Sequence, residues 1–420
     1  MYNKVILAMA AAAVSVGLLG WLQKDEPLTA QTKQLLLQDA AYQVPLAKHP
    51  YFLLLGIDSR ATVEPNTLGR YRYHYDWWQL QQDYLTEKNA QGTALDQRAT
   101  QDDWPMADQQ YLDELLQLVR YHPEQIQDYL NYQKTALAVL PQRHLLSLKR
   151  YQNWLAQSDY HVLVMPINSE SPDYALLVQL HMLHILQIAL QAEGQQLAAY
   201  QNYIQQLLQR LNLPLASTER YLLQRFIMDT IDVLRQAQKD TKQTLQLPTL
   251  QAEQLSIRPS LAYELTYFQQ ILRFMRAENP IVNWHLPFFI LQQQSLNQWV
   301  AQMQPIIQRS ELSYVQLQKA LARPVVVKQN KWVIKNSIGY VLTQAAQRDW
   351  DAFIVRNRLL DQKIMLFNAL NQPNKTLKQL NENSQGYQFY QTEQALCIAH
   401  PHPQPKQLAE HLQQASCVLK

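Results

Sequence analysis

Glycine occurs only 8 times in this chain of 420 residues, and that scarcity restricts the fold more than any other feature. Phosphate-cradling loops and doubly wound sheets need glycine where backbone approaches a ligand or takes a positive φ. No GxGxxG, GxxxxGK[ST] or GxSxG is present, which counts against nucleotide-binding enzymes and α/β-hydrolases. What the chain does carry is apolar residues at helical spacing along most of its length.

Hydrophobic residues make up 47% and charged residues 17%. Such a chain folds around a core and covers its surface largely with neutral polar groups. Glutamine takes that part, as in NYIQQLLQR and LQQQSLNQW. The net charge of +3, from 37 basic and 34 acidic residues, comes with no run of Lys or Arg. A nucleic-acid partner is therefore not expected.

The periodicity predicts helices from Pro65 to Lys88, Asp108 to Arg120, His122 to Leu140 and Pro141 to Gln157. A further helix opens at Ser171-Pro172-Asp173 and runs to Gly194 as its C-cap. More are expected at Gln195 to Asn212, Thr218 to Lys239, Pro259 to Arg276, Leu286 to Gln308 and Glu311 to Ala322. The last runs from Ser337 to Leu370 and breaks near Asp349. Strand signals are few: His161 to Ile167, a hairpin over Pro324 to Ile334, and two or three short strands after Gly386. Ala90 to Trp104 reads as an exposed polar loop. The expected fold class is mainly α, a multi-helix globular body with a small β appendage near the C-terminus. The expected division is 1–30 as anchor or signal, 45–370 as the helical domain, and 371–420 as a small C-terminal segment.

Val5 to Leu22 is uncharged and comes after Lys4. As a helix it spans about 27 Å, close to the hydrocarbon thickness of a bilayer. Ala30 would be the −1 residue of a cleavage site, but Leu28 fits −3 poorly. The expectation is an uncleaved single-pass anchor in the inner membrane with the bulk in the periplasm. The alternative is a periplasmic protein after signal cleavage.

HPYFLLLGIDSR, His49 to Arg60, poses the main functional question. LLLGIDSR resembles the first strand and loop of envelope glycopolymer ligases of the LytR-CpsA-Psr type. In that family a Gly-Arg-x-Asp-Thr stretch comes next and supports metal and lipid pyrophosphate binding. Here Gly69-Arg70 leads into Tyr71-Arg72-Tyr73, on a segment with helical spacing. The reading preferred from the residues is an apolar segment, a turn at Ile57-Asp58-Ser59, and a capped aromatic helix. A second resemblance covers roughly residues 45 to 370. HPYFLLLGID, EPNTLGR, LLSLKRYQNWL, ALQAEGQQLAAYQNYI and LLQRFIMDTI together resemble uncharacterised helical exported or membrane-anchored proteins of Proteobacteria. It implies a helical envelope protein and carries over no catalytic or binding residue.

Several clusters have both a functional and a structural reading. In YRYHYDWW, Tyr71, Tyr75 and Trp78 share a helix face and read as core, with Arg70, Arg72, His74 and Asp76 toward solvent. His181 and His184 lie on one helix face. Without Glu-x-x-His or HExxH anywhere, a polar stripe between helices is preferred to a metal site. Cys397 and Cys417 are the only cysteines. They read as a disulfide in an oxidising compartment, closing a loop of about 20 residues worth roughly 3 kcal/mol. The alternative is zinc held by Cys397, His400, His402 and Cys417. No catalytic residue, cofactor site or metal site is assigned. A binding-site guess rests on Asp58, Arg60, Arg70, Arg72 and Trp77. The expected function is that of a structural or interaction protein of the envelope, with another envelope protein or a wall component as partner. The alternatives are a binder of hydrophobic ligands between helices and an enzyme acting on envelope glycan-lipids.

Overall fold

The computed structural model describes residues 24–36, 50–73, 104–157, 172–192, 194–213, 215–239, 243–277, 290–321, 336–345, 350–372, 376–382, 388–392, 395–398 and 417–419. The fold is mainly α, with a small three-stranded antiparallel sheet near the C-terminus. The strand expected at His161 to Ile167 and the hairpin over Pro324 to Ile334 lie outside the described residues. The chain forms two compact units. One comprises residues 1–37, 261–306 and 325–349, and the other residues 38–260, 307–324 and 350–420.

In the larger unit, α1 (Pro50–Leu55) leads through a turn into α2 (residues 65–73). The LLLGIDSR segment is thus the end of a helix and a turn. Gly56 and Gly69 sit where the two helices cross. A Cβ on Gly56 would run into the Pro65 carbonyl, and one on Gly69 into the Phe52 carbonyl. These glycines serve close backbone approach, with Phe52 and Leu54 fully buried beside them.

Next come α3 (Met106–Tyr121), a 3₁₀ turn at Pro123–Gln125, α4 (Ile126–Tyr132), α5 (Lys134–Arg143) and α6 (Leu145–Ala156). The helix expected from His122 to Leu140 is therefore three pieces. Pro141 does not open a helix but lies inside α5, two residues before its end, with its ring buried beside Leu137 and Leu140. A proline near the final turn removes only one late hydrogen bond, and burial of the ring offsets that loss. Trp104, expected at the edge of an exposed loop, is buried and stacks on His144 with centroids 3.9 Å apart. The rest of that loop lies outside the described residues.

Helix α7 (Tyr174–Ala189) begins where the Asp173 carboxylate accepts from the Leu176 N–H, an N-cap of the usual kind. It is largely apolar and half of its residues are buried, with a polar stripe at His181, His184 and Gln187. It stops at Ala189, short of the expected Gly194. The Gln196 side-chain amide donates to the carbonyls of Ala189 and Gln191, 2.9 Å each. A side chain thus does the work expected of a C-cap glycine. Helices α8 (Gln196–Arg210) and α9 (Ser217–Lys239) pack against α7. A single turn, α10 (Ala252–Leu255), leads on to α11 (Arg258–Ala277).

Helix α11 and α12 (Gln292–Ser310) give residues 261–277 and 292–306 to the smaller unit, with Leu265, Leu272, Leu296 and Trp299 buried. That unit also contains α13 (Ala30–Leu35) and α14 (Ser337–Ala345). Asn336 enters α14 with φ 62°, a left-handed conformation that asparagine tolerates. Its side chain accepts from the Leu291 N–H at 2.7 Å and donates to the Ser295 hydroxyl at 3.0 Å.

The larger unit closes with α15 (Tyr314–Leu321), α16 (Trp350–Leu370) and α17 (Leu377–Glu382). Strands β1 (Phe389–Gln391), β2 (Ala395–Ile398) and β3 (Cys417–Leu419) complete the chain order. Their inner residues Phe389, Leu396, Ile398 and Val418 pack with Leu366 and Tyr314. Cys397 faces Cys417 across the β2–β3 ladder, and a disulfide joins them. The Nζ of buried Lys363 donates to the Cys417 carbonyl and pairs with Asp232 at 2.6 Å.

The glycine crossing sets a stability test. Gly69→Ala should destabilise the protein by about 3 kcal/mol through overpacking against backbone. Gly194, with nothing within 4 Å of an added Cβ, should accept alanine within about 0.5 kcal/mol. Urea denaturation midpoints of the two variants and the parent measure both.

Candidate functional site

The residues singled out from the sequence near the first turn are largely committed to the fold. The Arg72 guanidinium grips the Asp58 carboxylate at 2.6 and 3.0 Å and also donates to the Leu55 carbonyl. Arg72, expected toward solvent, is therefore half-buried in a two-pronged ion pair. Arg60 and Arg70 are exposed, and Trp77 lies outside the described residues. Tyr71 is half-buried, whereas Tyr75, Trp78, His74 and Asp76 lie outside the described residues.

The residue that organises this turn was not among the candidate site residues read from the sequence. Arg150 on α6 is buried. It donates to the carbonyls of Ile57, Ser59, Arg60 and Val63. A guanidinium presents five donors in a planar fork, so one side chain satisfies a whole turn of carbonyls. Its sequence signal was an arginine amid Ser147, Leu148, Tyr151, Trp154 and Leu155, the buried face of α6.

The second cluster lies between α6, α7, α8 and α9. His181 Nδ1 is 2.6 Å from the Tyr203 hydroxyl, which is 2.7 Å from the Tyr151 hydroxyl. His181 stacks on Phe226 at 4.0 Å, and His184 meets the Tyr203 ring edge-on at 4.5 Å. Gln152 links His184 to Gln187. Close by, the buried Asp229 accepts from Arg225 at 3.0 Å and Arg120 at 3.5 Å. Burial, with the nearby charge of His184 and then of Arg120 and Arg225, holds His181 neutral far below the usual imidazole range. Burial likewise lowers His184 to about 4. The Tyr203 hydroxyl is pushed well up by burial, with Tyr151 adding to it.

The two histidines thus form part of a polar stripe between helices. Among the described residues, no group of three or more His, Cys, Asp or Glu side chains is placed to hold a metal. The disulfide takes up both sulfurs that a zinc site would need as thiolates, and His400 and His402 lie outside the described residues. His181, Tyr151 and Tyr203 are almost fully excluded from solvent, so the relay is placed to hold helices together. The tyrosines that complete it come from other helices, which no local pattern on α7 announces.

An open concavity lies on the outer side of α3 and α4, with a volume of about 570 Å³. Met106, Leu118 and Tyr129 give it apolar walls, and Gln110, Asp113 and Glu114 a polar edge. Tyr129 donates to Glu114 at 3.1 Å, and Gln110 to the other Glu114 oxygen at 2.9 Å. Met106 is 86% exposed. By contrast, the enclosed pocket walled by Trp154, Leu177, Leu223 and Phe226 holds only about 10 Å³, no more than one water. No family model, no curated protein and no solved structure matches the chain.

The buried histidines make stability pH-dependent with a definite sign. His184 has a folded pKa of about 4, below its unfolded value of about 6.5. Its contribution is complete above about pH 6.5. It is lost as pH falls toward 4, because the unfolded chain takes up a proton that the folded one refuses. The loss from His184 is at most about 2 kcal/mol after allowing for partial solvent contact. Urea midpoints should therefore fall from pH 7 to pH 4.5, and less steeply in His184→Gln. At pH 7, Tyr203→Phe should cost about 2–4 kcal/mol, since it strands the polar atoms of both His181 and Tyr151.

Proposed function

We propose that this chain is an interaction protein of the bacterial cell envelope, anchored in the inner membrane through Val5 to Leu22 with its helical body in the periplasm. No helix among the described residues is long and apolar enough to cross a membrane, and Val5 to Leu22 lies outside them. The anchor therefore rests on the apolar run itself. The observation that carries the reading is the disulfide between the only two cysteines of the chain. Such bonds persist in oxidising compartments such as the periplasm. The likeness to exported helical proteins of Proteobacteria belongs to the same proposal.

Binding to another macromolecule is favoured over the two alternatives. A hydrophobic-ligand binder would use a roomy apolar cavity between helices. The enclosed pocket beside Trp154 is too small for one, whereas the concavity on α3 and α4 is open to a partner surface. A glycan-lipid enzyme would use LLLGIDSR and its arginines on substrate. Gly56 and Gly69 instead serve a helix crossing, and Arg72 is engaged with Asp58. An envelope protein is the expected partner.

The test is capture of the native protein from membranes after mild crosslinking, with mass spectrometry of the molecules captured alongside it. The same envelope partner should recur and be lost with Met106→Glu, a substitution at an exposed position. Recovery of a lipid or glycan fragment in its place would move the ligand and enzyme readings ahead. Thiol titration of the denatured, unreduced protein should find no free thiol, and two after reduction. Two free thiols before reduction would remove the support for export. Cys417→Ser should lower stability by roughly 3 kcal/mol.

A further inference from the structure

The stretch just after the apolar N-terminal run is built into the smaller unit. Asp25 accepts from the backbone N–H groups of Gln293 at 2.8 Å and Gln294 at 3.0 Å. It thus caps the N-terminus of α12 from 268 residues away in the chain. A carboxylate at that position meets both the unpaired N–H groups and the positive end of the helix dipole. Asn297, one turn further along α12, completes the attachment. Its amide donates to the Pro27 carbonyl at 3.0 Å, and its oxygen accepts from the Thr29 N–H at 3.0 Å and the Thr32 hydroxyl at 2.8 Å. Thr29 then caps α13 through the Thr32 N–H, and Thr32 and Leu35 are buried.

We infer that the N-terminal end of α12 is a membrane-apposed surface, held against the lipid headgroups by a tether with no slack, and that the chain is not cut after Ala30. The inference rests on the anchor reading above and adds to it a position and an orientation. Three residue steps separate Leu22, the last of the apolar run, from Asp25. Fully extended they span about 11 Å. The first turn of α12 therefore lies within about 15 Å of the point where the chain leaves the bilayer.

Cleavage after Ala30 would remove Asp25, Pro27 and the Thr29 cap together. It would leave the first N–H groups of α12 without their acceptor, and Asn297 with the Thr32 hydroxyl alone of these three partners.

The experiment uses the full chain in vesicles that contain a phospholipid carrying a headgroup-level nitroxide. The described residues contain no free cysteine, and Gln293 is exposed, so Gln293→Cys accepts a fluorophore. The expected result is an intact mass that retains Val5 to Ala30, sedimentation with the vesicles after alkaline washing, and loss of about half the fluorescence or more. Adding Asp25→Ala and Asn297→Ala should leave sedimentation unchanged, relieve much of the quenching, and speed tryptic cleavage after Lys33 about tenfold, the effect of weakening local protection by 1.4 kcal/mol. Sedimentation without quenching would overturn the tether while leaving the anchor intact. A mature chain beginning at Gln31 would overturn it while leaving export intact. Full-length protein that stays in the supernatant would overturn the anchor reading, and the inference with it.

Discussion

The larger unit depends on the polar groups that its helices carry inward and pair with one another, although among the described residues the buried His181 Nε2, Trp350 Nε1 and Gln362 Oε1 have no hydrogen-bond partner. A buried donor or acceptor without a partner costs about 1–3 kcal/mol, so each buried Arg, Gln, His or Tyr acts as a placement constraint on two helices at once. Arg150 fixes the turn after α1 to α6. Arg220 ties α9 to the carbonyls of Leu211 and Gln254. Gln224 meets Asn357, and Gln238 meets Asn371 at 2.7 Å, which sets the register of α9 against α16. The relay from His181 through Tyr203 to Tyr151 does the same for α6, α7 and α8.

This pattern has its origin in the composition. A chain with few charges and many glutamines cannot keep all its polar side chains at the surface once long helices pack on several sides. Apolar burial supplies the driving force, but it is non-directional and does not choose among rotations of a helix about its axis. Amide and guanidinium groups do, because their donors and acceptors have fixed geometry. The same logic serves the smaller unit, where Asn297, Asp25 and Asn336 place the chain segments around α12.

The glycine pair shows how a local sequence likeness and a tertiary role come apart. LLLGIDSR, with Gly69-Arg70 after it, has the letters of a strand and ligand loop. The Cβ-free contact of Gly56 with Pro65 and of Gly69 with Phe52 accounts for both glycines without a ligand. Asp58 and Arg72, picked out as part of a binding-site guess, are engaged with each other in an ion pair. Among the described residues, the concavity of α3 and α4 is open to solvent, and its residues carry no motif.

The helical class, the approximate span of most helices and the short strands after Gly386 were legible in the sequence, because periodicity and caps are properties of neighbouring residues. Asp173 as the opening of α7 is one such case, whereas the break expected near Asp349 lies outside the described residues. Where the expected signals failed, another packing or side-chain interaction had taken over. Gln196 ended α7 in place of Gly194, and burial kept Pro141 inside α5. The partners of His181, the turn-holding role of Arg150 and the capping of α12 by Asp25 were not legible. Each joins residues tens to hundreds of positions apart, and only the folded packing of helices decides which polar groups share a buried space.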